Sequence, residues 1–226
     1  MDIKTSGKLI VIEGIDGSGK ATQSAMLAKW LNENSHKTTK ISFPDYANPS
    51  STLVKMYLNG EIGQASDISP YAASTFYAVD RYISYKNNWE MPYLNGEIIV
   101  SDRYTTSNIV HQMVLLPQSE WEEYINWLED YEYIKMGLPK PDLVIYLDMH
   151  PKISQKLMEK RYNGDNSKKD ILESNYSYME SCRNSALFAA ENLNWQIIPC
   201  FKEENPLSLD EIQSKIQSTL IKNLKI

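Results

Sequence analysis

Lys20 closes the run Glu13-Gly14-Ile15-Asp16-Gly17-Ser18-Gly19-Lys20-Ala21-Thr22. An apolar, β-branched stretch precedes that run, and a helical stripe of Met26, Leu27, Trp30 and Leu31 follows it. Strand, glycine turn and helix in this order make a phosphate-binding P-loop. Glycines at 14, 17 and 19 free the backbone to aim several N–H groups at one point, at the positive end of a helix dipole. Lys20 adds a mobile charge for the terminal phosphates. A nucleoside triphosphate is therefore expected on Gly14, Ile15, Asp16, Gly17, Ser18, Gly19, Lys20, Ala21 and Thr22. One position departs from the pattern: Ala21 stands where a hydroxyl usually holds Mg²⁺. The bland alternative is a glycine turn with no ligand, against which the flanking strand and helix both argue.

Asp102-Arg103-Tyr104 is the second reactive set. Arg103 can grip a phosphate with two parallel hydrogen bonds. Asp102, at a strand end, can orient Lys20 or hold a metal-bound water. A surface ion pair explains the same tripeptide. Tyr77 and Arg81 are four apart and share a helical face. The ring can stack on a nucleobase while the guanidinium donates to a base carbonyl; an ordinary aromatic–arginine surface pair has the same spacing. Residues 161–170 carry Gly164 and the cations Arg161, Lys168 and Lys169. They make either a solvated loop or a lid that brings charge over the triphosphate and excludes water.

The elements that must hold these groups alternate along the chain. Strands are expected at 9–13, 38–43, 97–101, 143–147 and 195–200. The intervening helices include 20–34, one opened by Ser69-Pro70, 120–135 ending at Gly137, one opened by Pro151, and one running to about residue 192. Ser208-Leu209-Asp210-Glu211 is a capping box before a last helix. Such alternation predicts a parallel sheet with helices on both faces. Ligands then bind beyond the carboxyl ends of the strands, where Glu13, Phe43, Asp102 and Asp148 fall. The length of 226 residues suits one domain with a lid. A net charge of −6 argues against general nucleic-acid or membrane-surface binding, though a local cationic pocket is compatible with it. Two cysteines without a CxxC give neither a disulfide framework nor a zinc site. The absence of an apolar leader or spanning run points to a cytoplasmic protein.

In their order and spacing these motifs resemble a thymidylate kinase of the P-loop nucleoside monophosphate kinase group. The resemblance rests on the loop from Glu13 to Lys20, Phe43-Pro44, Tyr77-Ala78-Val79-Asp80-Arg81, and Asp102-Arg103-Tyr104 with Ser107-Asn108. Gly137-Leu138-Pro139-Lys140-Pro141-Asp142 and Asp170-Ile171-Leu172-Glu173 complete it. It implies an α/β fold of the P-loop NTP hydrolase type: a five-stranded parallel sheet in the order 2-3-1-4-5 with helices on both faces. One nucleotide-kinase domain would cover 1–226, with a lid at about 160–170. The implied reaction is phosphoryl transfer from ATP to dTMP, giving ADP and dTDP for dTTP synthesis, with Mg²⁺, in a homodimer.

Carried onto this chain, Lys20, Arg103, Asp16 and Arg161 are catalytic. Asp16, Phe43, Tyr77, Arg81, Arg103, Ser107, Asn108 and His111 hold dTMP. Within that set Arg103 takes the phosphate, Tyr77 stacks on thymine, Arg81 and Asn108 meet the base edge, and His111 blocks a ribose 2′-hydroxyl. Asp16, Asp102 and Glu173 are metal candidates, directly or through water. Three departures accompany the resemblance. Ala21 lacks the hydroxyl, Tyr46 replaces an arginine common after Phe-Pro, and Gly17 lacks the loop arginine of one subgroup. Two rivals follow: a related pyrimidine nucleoside monophosphate or deoxynucleoside kinase, and a non-catalytic nucleotide-binding regulator suggested by Ala21.

Overall fold

Near-continuous apolar strands can be satisfied only by burial on both faces. The computed structural model, which describes residues 6–64, 67–161 and 176–225, has that arrangement. Strands β1 (Lys8–Glu13), β2 (Thr38–Ser42), β3 (Ile98–Asp102), β4 (Leu143–Asp148) and β5 (Gln196–Pro199) pair in parallel, in the order β2-β3-β1-β4-β5. Every residue of β3 and β4 is buried. Successive residues of β1 face opposite ways, as a period of two requires. Ile10 and Ile12 pack with Leu27 and Leu31 of α1 (Lys20–Glu33) and with Ile212, Ile216 and Leu220 of α9 (Leu209–Leu224). Leu9 and Val11 belong to the opposite layer. There Val110 of α5 (Thr106–His111), Tyr124 and Leu128 of α6 (Trp121–Glu129) and Ala186 of α8 (Tyr176–Asn192) complete the core. Helices α2 (Thr52–Leu58), α3 (Pro70–Ser84), α4 (Glu90–Leu94) and α7 (Pro151–Arg161) fill the connections.

The helix signals act as their chemistry requires. Ser69 Oγ accepts from the backbone N–H of Ala72, with Pro70 in the first turn of α3. Ser208 and Glu211 form the reciprocal capping box of α9. The helix expected over 120–135 is divided. Regular α6 ends at Glu129, and a π-helical turn covers Asp130–Lys135 before Gly137, which is left-handed at φ 71°. The last strand is shorter than expected, and a small hairpin, β6 (Phe201–Lys202) with β7 (Asn205–Pro206), follows it. Among the described residues no helix is long and apolar enough to cross a membrane.

Candidate active site

The glycine loop leaves the carboxyl end of β1 and enters α1 through Gly19, which is left-handed at φ 92° and caps the helix. Gly17 is left-handed too, at φ 75°, and a Cβ there would lie 2.5 Å from Ser154 Oγ and 2.8 Å from the Ser154 carbonyl. Helix α7 thus rests on the loop, and Ser154 Oγ donates to the Asp16 carbonyl. That contact explains why no side chain extends from position 17. Lys20 is buried, and its Nζ donates to the carbonyls of Gly14 at 2.7 Å and Ile15 at 2.9 Å. Asp16 Oδ1 lies 3.9 Å away. Burial, and then the Arg103 charge, lower the Lys20 pKa against the pull of Asp16 and Glu13.

Arg103 follows β3 at φ 66°, a conformation that costs a side-chain-bearing residue about 1–2 kcal/mol. Its surroundings over-determine it. Ser101 Oγ donates to its carbonyl at 2.5 Å, Nη2 pairs with Asp16 Oδ1, and Nη1 meets His111 Nε2 at 2.8 Å and Ser107 Oγ at 3.4 Å. A guanidinium only donates, so His111 Nε2 accepts and the ring proton sits on Nδ1, 3.6 Å from Cys182 Sγ. Burial, reinforced by Arg103, pushes the His111 pKa down to about 3. Burial works to raise the Asp16 pKa, but Arg103 and Lys20 outweigh it and hold that carboxyl ionised. Beneath the loop, Glu13 accepts from Gly14 N at 3.0 Å and from the Thr106 and Ser107 hydroxyls at 2.8 Å each. Sequence reasoning gave Glu13 no role, although an acid ending a wholly apolar strand must find such donors.

A cleft of about 780 Å³, including its mouth, opens beside these groups. Its walls include all eight residues expected around dTMP: Asp16, Phe43, Tyr77, Arg81, Arg103, Ser107, Asn108 and His111. Tyr57, Tyr104 and Tyr178 also line it, without having been expected there. Arg81 is 1% exposed; its Nε and Nη2 clamp the Glu132 carboxylate at 2.7 and 2.5 Å, and Nη1 lies 3.4 Å from the Tyr104 carbonyl. Burial opposes the charge on Arg81, but Glu132 more than offsets it and raises its pKa. Sequence reasoning missed Glu132. Its signal was an acid four residues beyond Leu128 and eight beyond Tyr124, on the apolar stripe of the helix.

The metal and lid expectations fare differently. Asp102 is buried at the end of β3, and among the described residues no hydrogen bond or ion pair engages its carboxylate. It makes no direct ion pair with Lys20, but its charge pulls on that ammonium in the same sense as Glu13 and the nearer Asp16. Among the described residues no group of three His, Cys, Asp or Glu side chains could hold a metal alone. Glu173, Lys168, Lys169 and most of the expected lid lie outside the described residues, as does the Arg161 side chain, although the α7 backbone reaches that position. Asp148, at the end of β4, is clamped by Arg183 at 2.6 and 2.8 Å, and Arg183 lies over the Phe201 ring.

Loop, buried lysine and sheet order together put the chain in the P-loop nucleotide-binding class. The family model for thymidylate kinase matches residues 12–212. A probable thymidylate kinase of Pyrobaculum aerophilum is 30% identical over 202 residues, 89% of this chain and 92% of that protein. The thymidylate kinase of Arabidopsis thaliana is 26% identical over 225 residues, 99% of this chain and 74% of that one. The solved thymidylate kinase of Candida albicans shares the fold, with a TM-score of 0.70 at 21% identity over 96% of this chain and 92% of that one. The chain belongs to the thymidylate kinase family, and its reaction is transfer of a phosphoryl group from ATP to dTMP.

Proposed function

We propose that dTMP occupies the cleft with its base against Arg81 and its phosphate on Arg103, facing ATP held by the P-loop. The observation that carries this reading is the cleft itself, with one arginine sealed at its inner wall and the other beside the loop. In it, Tyr77 stacks on the base and Arg81 donates to the 4-carbonyl. Asn108 accepts from N3–H. The neutral His111 ring crowds the 2′ side of the sugar. The acceptor phosphate takes the place of Asp16 on Arg103. Lys20 turns from the loop carbonyls to the oxygens of the moving phosphoryl group, where charge develops in the transition state.

The donor set suits Mg²⁺ carried by the nucleotide, since this ion is commonly held by one or two carboxylates together with substrate phosphates. Asp102, whose carboxylate makes no hydrogen bond or close ion pair among the described residues, and Asp16 would hold it through water in place of the hydroxyl missing at Ala21. Bound there, it would neutralise charge on the phosphates. Arg161 and Glu173 belong to the same proposal as contributions from the lid. So does a cytoplasmic homodimer: two buried, unpaired cysteines suit a reducing compartment, and sedimentation tests the dimer.

Measuring ADP release with dTMP, thymidine and dGMP as acceptors tests the reading. Turnover is expected with dTMP and not with the other two. Thymidine phosphorylated as fast as dTMP would leave Arg103 without its proposed ligand.

A further inference from the structure

We propose that Glu132 is the positioning residue that sets the preference for 4-oxo over 4-amino pyrimidines, by fixing which hydrogen-bonding groups Arg81 and Asn108 turn toward the cleft. The inference rests on the base orientation proposed above. Glu132 is wholly buried in the π-helical turn that follows α6. Four hydrogen bonds converge on its carboxylate: Arg81 Nε at 2.7 Å, Arg81 Nη2 at 2.5 Å, Thr105 Oγ1 at 2.7 Å and Asn108 Nδ2 at 3.3 Å.

An ionised carboxylate accepts and never donates. Together with the Ser74 carbonyl at 3.4 Å, it holds the Asn108 amide NH₂ turned inward. The Asn108 oxygen is then the atom left for the cleft. The same carboxylate holds Nε and Nη2 of Arg81, so the remaining N–H groups of that guanidinium face the cleft and the Tyr104 carbonyl. The wall thus presents a donor at Arg81 beside an acceptor at Asn108. A 4-carbonyl next to an N3–H, as in thymine or uracil, complements both. The 4-amino group and bare N3 of cytosine oppose both, leaving buried polar groups facing like groups, a mismatch on which enzymes achieve large discrimination. Glu132 touches no part of the base in this account; it acts through its two neighbours.

Glu132→Gln replaces the acceptor-only group with an amide that can donate to Asn108. Asn108 can then rotate, giving up only its 3.4 Å contact with the Ser74 carbonyl, and offer its NH₂ to the cleft, while Arg81 keeps one of its two acceptors. The test compares kcat/KM for dTMP and dCMP in wild type, Glu132→Gln and Glu132→Asp. The dTMP:dCMP ratio is expected to fall at least tenfold in Glu132→Gln, with KM for ATP within twofold, and to hold in Glu132→Asp, which keeps the acceptor-only group. A wild-type ratio in Glu132→Gln overturns the inference. Should that variant fail to fold, Thr105→Val removes the hydroxyl that pins Glu132 Oε2 and leaves the ion pair. A fall of about threefold in the ratio supports the inference and an unchanged ratio overturns it. A wild type inactive on dTMP defeats the reading of the cleft itself, whereas a selective wild type with an equally selective Glu132→Gln defeats only the role of Glu132.

Discussion

Arg103→Lys keeps one positive charge beside the P-loop and removes the planar fork. The fork now spans three partners: Asp16 from Nη2, and His111 Nε2 at 2.8 Å and Ser107 Oγ at 3.4 Å from Nη1. An ammonium on a flexible stem cannot reproduce that two-pronged geometry toward a phosphate. The left-handed backbone at φ 66° burdens either residue alike, so the comparison isolates the side chain. Losing one charge-assisted contact of this kind removes about 2–3 kcal/mol, or roughly 30- to 150-fold in kcat/KM for dTMP. Lys20 and the loop amides are untouched, so KM for ATP should stay within about twofold. Initial rates of ADP release, with dTMP varied at saturating ATP, measure both quantities. A kcat/KM for dTMP within threefold of wild type would refute the assignment of the acceptor phosphate to Arg103. A defect confined to KM for ATP would move Arg103 to the donor side.

Three further outcomes follow from the same geometry. Lys20→Ala should lose about 3 kcal/mol of transition-state stabilisation, a hundredfold or more in kcat, with an unchanged circular dichroism spectrum; normal turnover would remove the P-loop from the mechanism. Gly17→Ala puts a Cβ 2.5 Å from Ser154 Oγ on a backbone at φ 75° and should lose about 1–3 kcal/mol in urea unfolding, with a raised KM for ATP. An unaltered midpoint would mean that α7 does not rest on the loop. The His111 ring titrates near 6.5 when unfolded and at about 3 when folded, so between these values the unfolded chain binds more protons and stability falls as pH is lowered. Acidification from pH 6.5 to pH 5 should remove about 1–2 kcal/mol through this ring, discounted for its partial exposure. Asp16, whose folded pKa is also lowered, contributes stability that is fully present above the ordinary carboxyl range and is lost only as pH falls through that range, outside this window. His111→Gln should flatten the stability difference between pH 5 and pH 7, and equal slopes in both proteins would count against the buried neutral ring.

The sheet and the loop were legible because each rests on local chemistry. Apolar runs mark β1, β3 and β4, and Ser69-Pro70 and Ser208 to Glu211 mark helix starts. Tyr77 and Arg81 were legible as a pair from a spacing of four. The sequence did not disclose what Arg81 faces, because Glu132 comes from an element 51 positions away. An acid on the Tyr124–Leu128 stripe was nevertheless a visible demand for a buried cation. The left-handed turn at Arg103 and the inward tautomer of His111 had no local signature, since both are imposed by partners brought together only by the fold. Gly17 read as a missing arginine; the α7 contact shows it as a position with no room for any side chain.

The two cleft arginines carry the same charge and present it differently, and this difference argues for the orientation proposed for dTMP. Each has a carboxylate partner, which limits the penalty of burying a cation. The Arg103–Asp16 pair is open to the cleft, with side chains 18% and 30% exposed, whereas the Arg81–Glu132 pair is sealed at 2% and 0%. A phosphate entering the cleft can replace Asp16 on Arg103, exchanging one anion for another in partly solvated surroundings. No ligand can displace Glu132 without leaving a buried, unpaired carboxylate. Arg81 therefore offers the cleft directional N–H groups from a neutralised pair, which suits an uncharged base, while Arg103 offers net charge. A nucleotide bound the other way round would set its dianion against the sealed pair and its neutral base against the open one. An acidic chain with a net charge of −6 can in this way hold an anionic substrate at one end of its cleft and select an uncharged base at the other.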